Sequence, residues 1–361
     1  MIKKINYIAE INLPSKSAYS IHVMKMCNAF SNKNVKTNLY VYKSLEKNKI
    51  LEKYNCKNQF NIFSLEIRHN NFFGRILFAI KLLLLFKNIR EDIFYSRSII
   101  TAIFLAYWNN NVVLEIHHEL KGFTKYLFNI SKKLNFFKNI KFVFISKNLS
   151  QHYKLENKKI ILDDGVDLND FNILKKIKKE RNSCVYTGSF TKGKGLKTIL
   201  KVSKLTKNIN YYLYGDISNS EFSKEYIRKF DNVYYKGYAD YYKIPKILNK
   251  YNLYLMPYEK EVYVRSHNIE VGNYMSPLKL FEYMASRGVI MASKMNVYKH
   301  ILNKKNSILI DGQSIFNWKS NIENFFMNEK KYDLLSKNSL IDVRKYTWNS
   351  RVEKILKFIN V

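Results

Sequence analysis

The chain has 361 residues, 47% of them hydrophobic, with only 11 glycines and 4 prolines. That excludes collagen-like and disordered classes and allows cores for two domains. Its 62 basic and 29 acidic residues leave a formal charge of +33, which favours anionic partners such as nucleic acid, acidic lipid or phosphorylated substrates. Lysine, asparagine, isoleucine and tyrosine are abundant throughout, so part of that charge is compositional. Cys27, Cys56 and Cys184 are scattered and odd in number, against a disulfide framework and for a reducing compartment.

The first eight residues hold too short an apolar run for a secretory signal, and no segment reaches the roughly 20 apolar residues of a spanning helix. A cytoplasmic protein is expected. Residues 5–10 form a short apolar run and 18–31 have helical spacing, with a strand expected at 38–42. Residues 72–86 read as a helix with a wide apolar face, interrupted by Arg75 and Lys81 and followed by Lys87 and Arg90. Two readings fit it: an ordinary domain helix, or a basic amphipathic helix at a membrane surface. Short β-rich runs at 93–96 and 112–116 flank the apolar segment 99–108, and another strand is expected at 141–145. The pattern breaks between Asp163 and Arg181, where a turn and the basic run 175–179 mark an interdomain connection. It resumes with strands at 184–187, 211–214, 233–235, 253–256, 289–292 and 308–310. Such alternation predicts α/β architecture with two doubly wound parallel sheets, whose ligands bind outside the carboxyl ends of the strands.

Ser276-Pro277-Leu278-Lys279 is the most informative stretch. Ser276 suits an N-cap and Pro277 the first helical position. Lys279 in a first turn opposes the helix dipole unless an anion docks there. Glu282, one turn on, is placed to bind two sugar hydroxyls. The strand at 184–187 runs into Gly188-Ser189-Phe190-Thr191-Lys192-Gly193-Lys194-Gly195, whose small residues let backbone approach a phosphate while Lys194 supplies charge. Its spacing is neither that of a P-loop nor GxGxxG. His117 follows the strand at 112–116, where it could donate to a sugar hydroxyl or a phosphate oxygen. Its Glu115-Ile116-His117-His118-Glu119 setting lacks the helical spacing of zinc enzymes. Arg97 ends a neighbouring strand, and Lys16 and His22 border the first loop. Asp163-Asp164 and Glu91-Asp92 do not make a convincing site for a metal-bound diphosphate.

Taken together these segments resemble the retaining glycosyltransferases of family 4, in a branch active in bacterial surface polysaccharide synthesis. The resemblance runs from Leu13-Pro14 and His22-Val23-Met24-Lys25 to Tyr346-Thr347-Trp348-Asn349-Ser350-Arg351. It implies the GT-B fold, two Rossmann-like domains facing a cleft. The expected divisions are an acceptor-side domain at 1–170, a nucleotide-sugar domain at 171–345, and a C-terminal helix at 346–361 crossing back to the first. It also implies transfer, with retention, of a sugar from a UDP- or GDP-linked donor to a hydroxyl of a glycan or lipid-linked acceptor, in capsule, O-antigen or similar biosynthesis.

On this resemblance His117, Lys194 and Glu282 are the catalytic set. Donor binding falls to Gly188, Ser189, Lys194, Tyr238, Ser276, Pro277, Leu278, Lys279 and Glu282, with Tyr238 near the base, while Lys16 and Arg97 are acceptor or phosphate contacts. No metal and no cofactor beyond the donor are expected. An anionic surface at the inner membrane face is a further expected partner, and nucleic acid is not. The chain departs from the family at Tyr274, where the first glutamate of an E-x7-E pair would stand, with Asn273 or Glu270 as replacements. It departs again at Ser189, where an arginine is common, and in a first loop without paired glycines. The alternatives are a sugar-nucleotide epimerase on the same fold and, from the charge, a nucleic-acid-binding protein.

Overall fold

The computed structural model describes residues 4–57, 60–68, 71–89, 92–108, 111–138, 140–172, 178–264, 269–312 and 314–360. Arg90, Glu91 and residues 175–177 of the basic run lie outside them. The chain divides into two compact units, Met1–Asp164 with Trp348–Val361, and Gly165–Thr347.

The first unit is built on a seven-stranded parallel sheet. Its order is Asn61–Ser64, Lys36–Val41, Lys4–Ile8, Ile93–Ser96, Val112–Ile116, Ile140–Phe144, Lys159–Ile161. The first strand in the chain thus lies mid-sheet, with the next two on one side and the remainder on the other. This doubly wound order creates a switch point between Lys4–Ile8 and Ile93–Ser96. The central strands are buried, and mostly apolar, on both faces. The two edge strands, Asn61–Ser64 and Lys159–Ile161, carry no sequence signal of their own because they are short and half-exposed. The segment 99–108 is a helix, Ile99–Trp108.

One polar row crosses this sheet, buried at Asn6 and Asn38 and reaching the surface at Asn61. Asn61, Asn38 and Asn6 are in register on adjacent strands. The Asn61 amide donates to Asn38 Oδ1 (3.1 Å), that of Asn38 to Asn6 Oδ1 (3.1 Å), and that of Asn6 to Asp92 Oδ2 (2.8 Å). The helix Trp348–Asn360 packs on Ala18–Asn32, with Asn32 bonded to Asn349 (3.0 Å).

The second unit repeats the architecture. Its six parallel strands run Val233–Tyr235, Asn210–Tyr214, Ser183–Thr187, Leu253–Met256, Val289–Ser293, Ile308–Ile310. The switch point lies between Ser183–Thr187 and Leu253–Met256. One core layer centres on Tyr254, Tyr283 and Phe281, the other on Tyr211, Trp318 and Ile199.

Candidate functional site

In the second unit the fully buried strand Ser183–Thr187 delivers Gly188 to the carboxyl edge of the sheet at the switch point. Gly188 N–H donates to the Tyr214 carbonyl (2.9 Å), and the Tyr186 hydroxyl reaches forward to the Ser189 carbonyl (3.0 Å), folding the loop back over the strand end. Lys194 Nζ donates to Ser189 Oγ (2.6 Å), and burial lowers its ammonium to about 8. Gly195, at φ +88°, caps the helix Leu196–Leu205, and a Cβ there would overlap the Pro257 carbonyl, so only glycine fits.

The helix expected to start at Pro277 starts at Leu278, and runs to Ala285. Pro277 takes extended backbone (ψ 124°) and itself stands at the cap, displacing Ser276 by one position, and its own side chain offers no capping oxygen. The first N–H groups of this helix, at Leu278 and Lys279, point out of the helix end and receive no side-chain bond from the residue at the cap. Tyr283 ties the helix to the first loop, its hydroxyl accepting from Thr187 N–H (2.8 Å).

That anchor sets Lys279 against Gly188. Lys279 is 8% exposed, its Nζ 3.5 Å from the Tyr186 ring centre and 5.3 Å from that of Tyr258, and the ammonium has no hydrogen-bond partner. The ring face offsets part of the charge but accepts none of the three N–H donors in a conventional bond. Burial, reinforced by Lys194 and opposed by Glu282, pushes the amine well below its usual range. Glu282 is equally buried, and burial raises its carboxyl to about 7 against the pull of Lys279, with Asp170 adding to the rise. Lys279 thus stands against Gly188 and Lys194 against Ser189 beside it, with the buried Glu282 within electrostatic reach of Lys279. Tyr238 is half-buried just beyond Gly237, whose carbonyl accepts from Gly215 N–H (2.8 Å). Of the two candidate replacements for an acid at Tyr274, Glu270 is engaged in its own turn, accepting from Gly272 N–H at 2.5 Å, and Asn273 is exposed.

The first unit holds a second polar constellation, centred on Glu115, a side chain with no exposure. Its Oε1 accepts from His117 Nε2 (2.6 Å) and Arg351 Nη2 (2.6 Å), and its Oε2 from the Tyr95 hydroxyl (2.6 Å). His22 Nε2 lies 3.2 Å from Oε1, and His22 Nδ1 is 2.9 Å from Asp164 Oδ1. Arg351 also donates to the carbonyls of Leu162 and Asp163. Burial alone would raise the Glu115 carboxyl, but His22, Arg351 and His117 hold it well below the carboxylate range.

An ionised Glu115 only accepts, so His117 must carry its proton on Nε2 and leave Nδ1 as an acceptor. This corrects the expectation that His117 donates to a sugar or phosphate oxygen. Burial, with the Arg97 charge, pushes its imidazole down to about 3, against the opposing pull of Glu115. Arg97 stacks on Tyr19, 4.1 Å from ring centre, and Lys16 is exposed on the loop before Ala18–Asn32.

His22, Glu115, His117 and Asp164 bring ligand-type atoms within 4.8 Å of one another, a grouping the sequence did not reveal. A cation there would have to displace the bonds that Arg351 and Tyr95 make to Glu115, and it would face a guanidinium. Glu115, Asp164, Tyr95 and Arg351 were not among the expected site residues. They lie on separate elements, and although Glu115, Asp164 and Arg351 stand in segments noted in the sequence, nothing local showed that they meet.

Residues 170–340 match the family model described as "Glycosyl transferases group 1", spanning most of the second unit and just under half of the chain. No curated protein matches the sequence. Solved structures similar over the whole fold include the following three. A glycosyltransferase from Rickettsia africae matches at TM-score 0.74 and 15% identity, over 99% of this chain and 98% of that one. Anabaena HepE in complex with UDP and glucose matches at 0.69 and 11%, over 99% and 100%. A variant of S. aureus TarM in complex with fondaparinux, alpha-GlcNAc-glycerol and UDP matches at 0.72 and 12%, over 100% of both. The chain therefore has the two-Rossmann architecture of GT-B glycosyltransferases.

Proposed function

We propose that this protein is a retaining glycosyltransferase of family 4. It would move a sugar from a UDP- or GDP-linked donor to a hydroxyl of a glycan or lipid-linked acceptor in surface polysaccharide synthesis. The observation that carries the reading is the buried, hydrogen-bond-orphaned amine of Lys279, set beside Lys194 in the first turn of a helix within the segment that matches the group 1 model. A buried cation without a partner is costly, and an anionic ligand relieves that cost.

The donor diphosphate accepts from Lys279 Nζ, from Lys194, and from the N–H groups of Leu278 and Lys279. These groups stabilise the negative charge that grows on the leaving diphosphate, so the chemistry asks for no metal there. Glu282 takes the ribose hydroxyls, and Tyr238 lies by the base. His117 Nδ1 accepts from a hydroxyl of the transferred sugar, the role the family resemblance gives that residue. Its acceptor state is fixed by Glu115. Attack from the face of the departing diphosphate, with a phosphate oxygen assisting deprotonation of the acceptor, gives retention.

The test is calorimetry with UDP and GDP, then with their sugars. The unmodified chain binds one of the two, and Lys279→Ala and Glu282→Ala each weaken that binding. Unchanged affinity in both variants removes the donor-site assignment.

A further inference from the structure

The helix Phe72–Phe86 is apolar nearly all round, yet it is packed on one side only. Phe78, Ala79, Leu82 and Phe86 face the core. Phe73 (78% exposed), Leu77, Ile80 and Leu84 (66%) form an outward stripe at the i, i+4, i+7, i+11 spacing of a single helical face. The helix of 15 residues is roughly 22 Å long, and the stripe covers about 17 Å of it. This is a different object from the amphipathic helix read as one option in the sequence, because its outer face is itself apolar. An all-round apolar helix belongs to a protein interior or a lipid phase, not to water.

A second helix, Gly122–Lys133, joins it. Phe72 and Phe123 meet edge to face at 4.7 Å, and Arg75 Nη1 donates to Thr124 Oγ1 (3.2 Å) while its Nε pairs with Glu10 (2.8 Å). Phe123 and Tyr126 stand 52% and 63% exposed beside the junction. The two helices themselves carry only positive charge. Residues 72–89 and 120–138 contain no aspartate or glutamate, while Lys81, Lys87, Lys121 and Lys125 are exposed on them. No helix among the described residues is long and apolar enough to cross a membrane. The surface is thus suited to lying on a bilayer rather than spanning one.

We infer that this face, the stripe Phe73–Leu77–Ile80–Leu84 with Phe123 and Tyr126, docks in the plane of an anionic lipid bilayer. The apolar side chains enter the acyl boundary and the surrounding lysines meet acidic headgroups. Both helices begin just beyond the carboxyl ends of their strands, Asn61–Ser64 and Val112–Ile116. His117 and Arg97 stand at that same edge of the sheet. Docking therefore brings the bilayer to the side of the unit that carries His117. Resting on the transferase reading, this makes the acceptor a lipid-linked one, presented from the membrane.

The experiment is cosedimentation of the full purified chain with vesicles of phosphatidylcholine alone and of phosphatidylcholine mixed with phosphatidylglycerol, without donor or acceptor. It therefore stands or falls separately from the transferase assignment. The chain pellets with the mixed vesicles, far less with the neutral ones, and salt releases it. Leu77→Ser with Leu84→Ser lowers vesicle partitioning at least about tenfold, since each buried methylene contributes severalfold, while the circular-dichroism melt is retained. Lys81→Glu with Lys125→Glu, which leaves the apolar stripe intact, abolishes the preference for acidic lipid. Equal binding of the unmodified chain to both vesicle types, or no binding to either, overturns the inference. So does a dimer in sedimentation velocity that the serine variants dissociate while vesicle binding persists.

Discussion

The ammonium of Lys279 lies 3.5 Å from the ring centre of Tyr186 and close enough to Gly188 that a Cβ there would sit 2.9 Å from its Nζ. A lysine held in this way, without a hydrogen-bond acceptor, is tuned for a ligand at the expense of the empty fold. Lys279→Met removes a buried amine that has no hydrogen-bond partner and keeps most of the side-chain volume. We expect the unliganded melting temperature to hold or rise. Nucleotide affinity should fall about 10- to 100-fold, the worth of roughly 1.5–3 kcal/mol for charge-assisted bonds. Scanning fluorimetry and calorimetry read the two effects separately.

Proton linkage gives an independent check. Burial depresses both amines, Lys194 to about 8 and Lys279 well below its usual range. A diphosphate favours their charged forms, so binding at pH 8, where a Glu282 carboxyl near 7 is already mostly ionised, should take up protons. Calorimetry in two buffers of different ionisation enthalpy measures the number. Net release would contradict the placement of the diphosphate.

Glu282 makes a stability prediction. Its carboxyl rises from 4.5 in the unfolded reference to about 7 in the fold because of burial. The folded state binds its proton more tightly, so stability falls as the pH climbs from about 4.5 to about 7 and is level above that, as linkage requires. Glu282→Gln lacks this titration. The melting temperature of the unmodified protein minus that of the variant should fall across the same window, and a flat difference would show that Glu282 is solvated.

Gly188→Ala tests geometry without touching charge. The φ of +124° excludes an ordinary side chain, and the new methyl would press on Cε and Nζ of Lys279. Displacing that ammonium should cost nucleotide affinity more than it costs folding. Calorimetry beside a thermal melt separates these. A variant that melts lower but binds normally would place the ligand elsewhere.

In the first unit, Glu115 accepts from Arg351, His117 and Tyr95 at once. Removing one partner strands a buried charge, so Glu115→Gln and Arg351→Met should each cost about 3–5 kcal/mol. The double variant should cost clearly less than their sum. Urea midpoints of the three variants decide, and strict additivity would mean that the pair is not coupled.

Much of the second site was legible because it is local in sequence. The segment Gly188–Gly195 and the stretch from Ser276 to Glu282 each sit at a strand or helix end, where turn chemistry announces itself. The misplaced helix start there came from proline, which fits a first helical position and, at this site, an extended cap equally well. The alternating architecture was legible too, since buried parallel strands read as short β-branched and aromatic runs. The Glu115 network was not. Arg351 lies 236 positions from Glu115, and His22 lies 142 from Asp164. Only the sheet order and the packing of the helix Trp348–Asn360 on Ala18–Asn32 bring them together. The outward face of Phe72–Phe86 was half legible: its apolar content shows in the sequence, but which side the core takes does not.

The asparagine row across the first sheet has a consequence for how this protein can vary. Asn61 gives, and Asn38 and Asn6 each give and receive, so the chain of bonds has a direction, from Asn61 through Asn38 and Asn6 to the Asp92 carboxylate, where Lys4 adds its charge at 2.7 Å. An apolar replacement at any one rung leaves a neighbour's donor or acceptor stranded. Replacing all three at once would leave none. These positions should therefore drift as a set among relatives, polar together or apolar together, and a hybrid ladder should be rare.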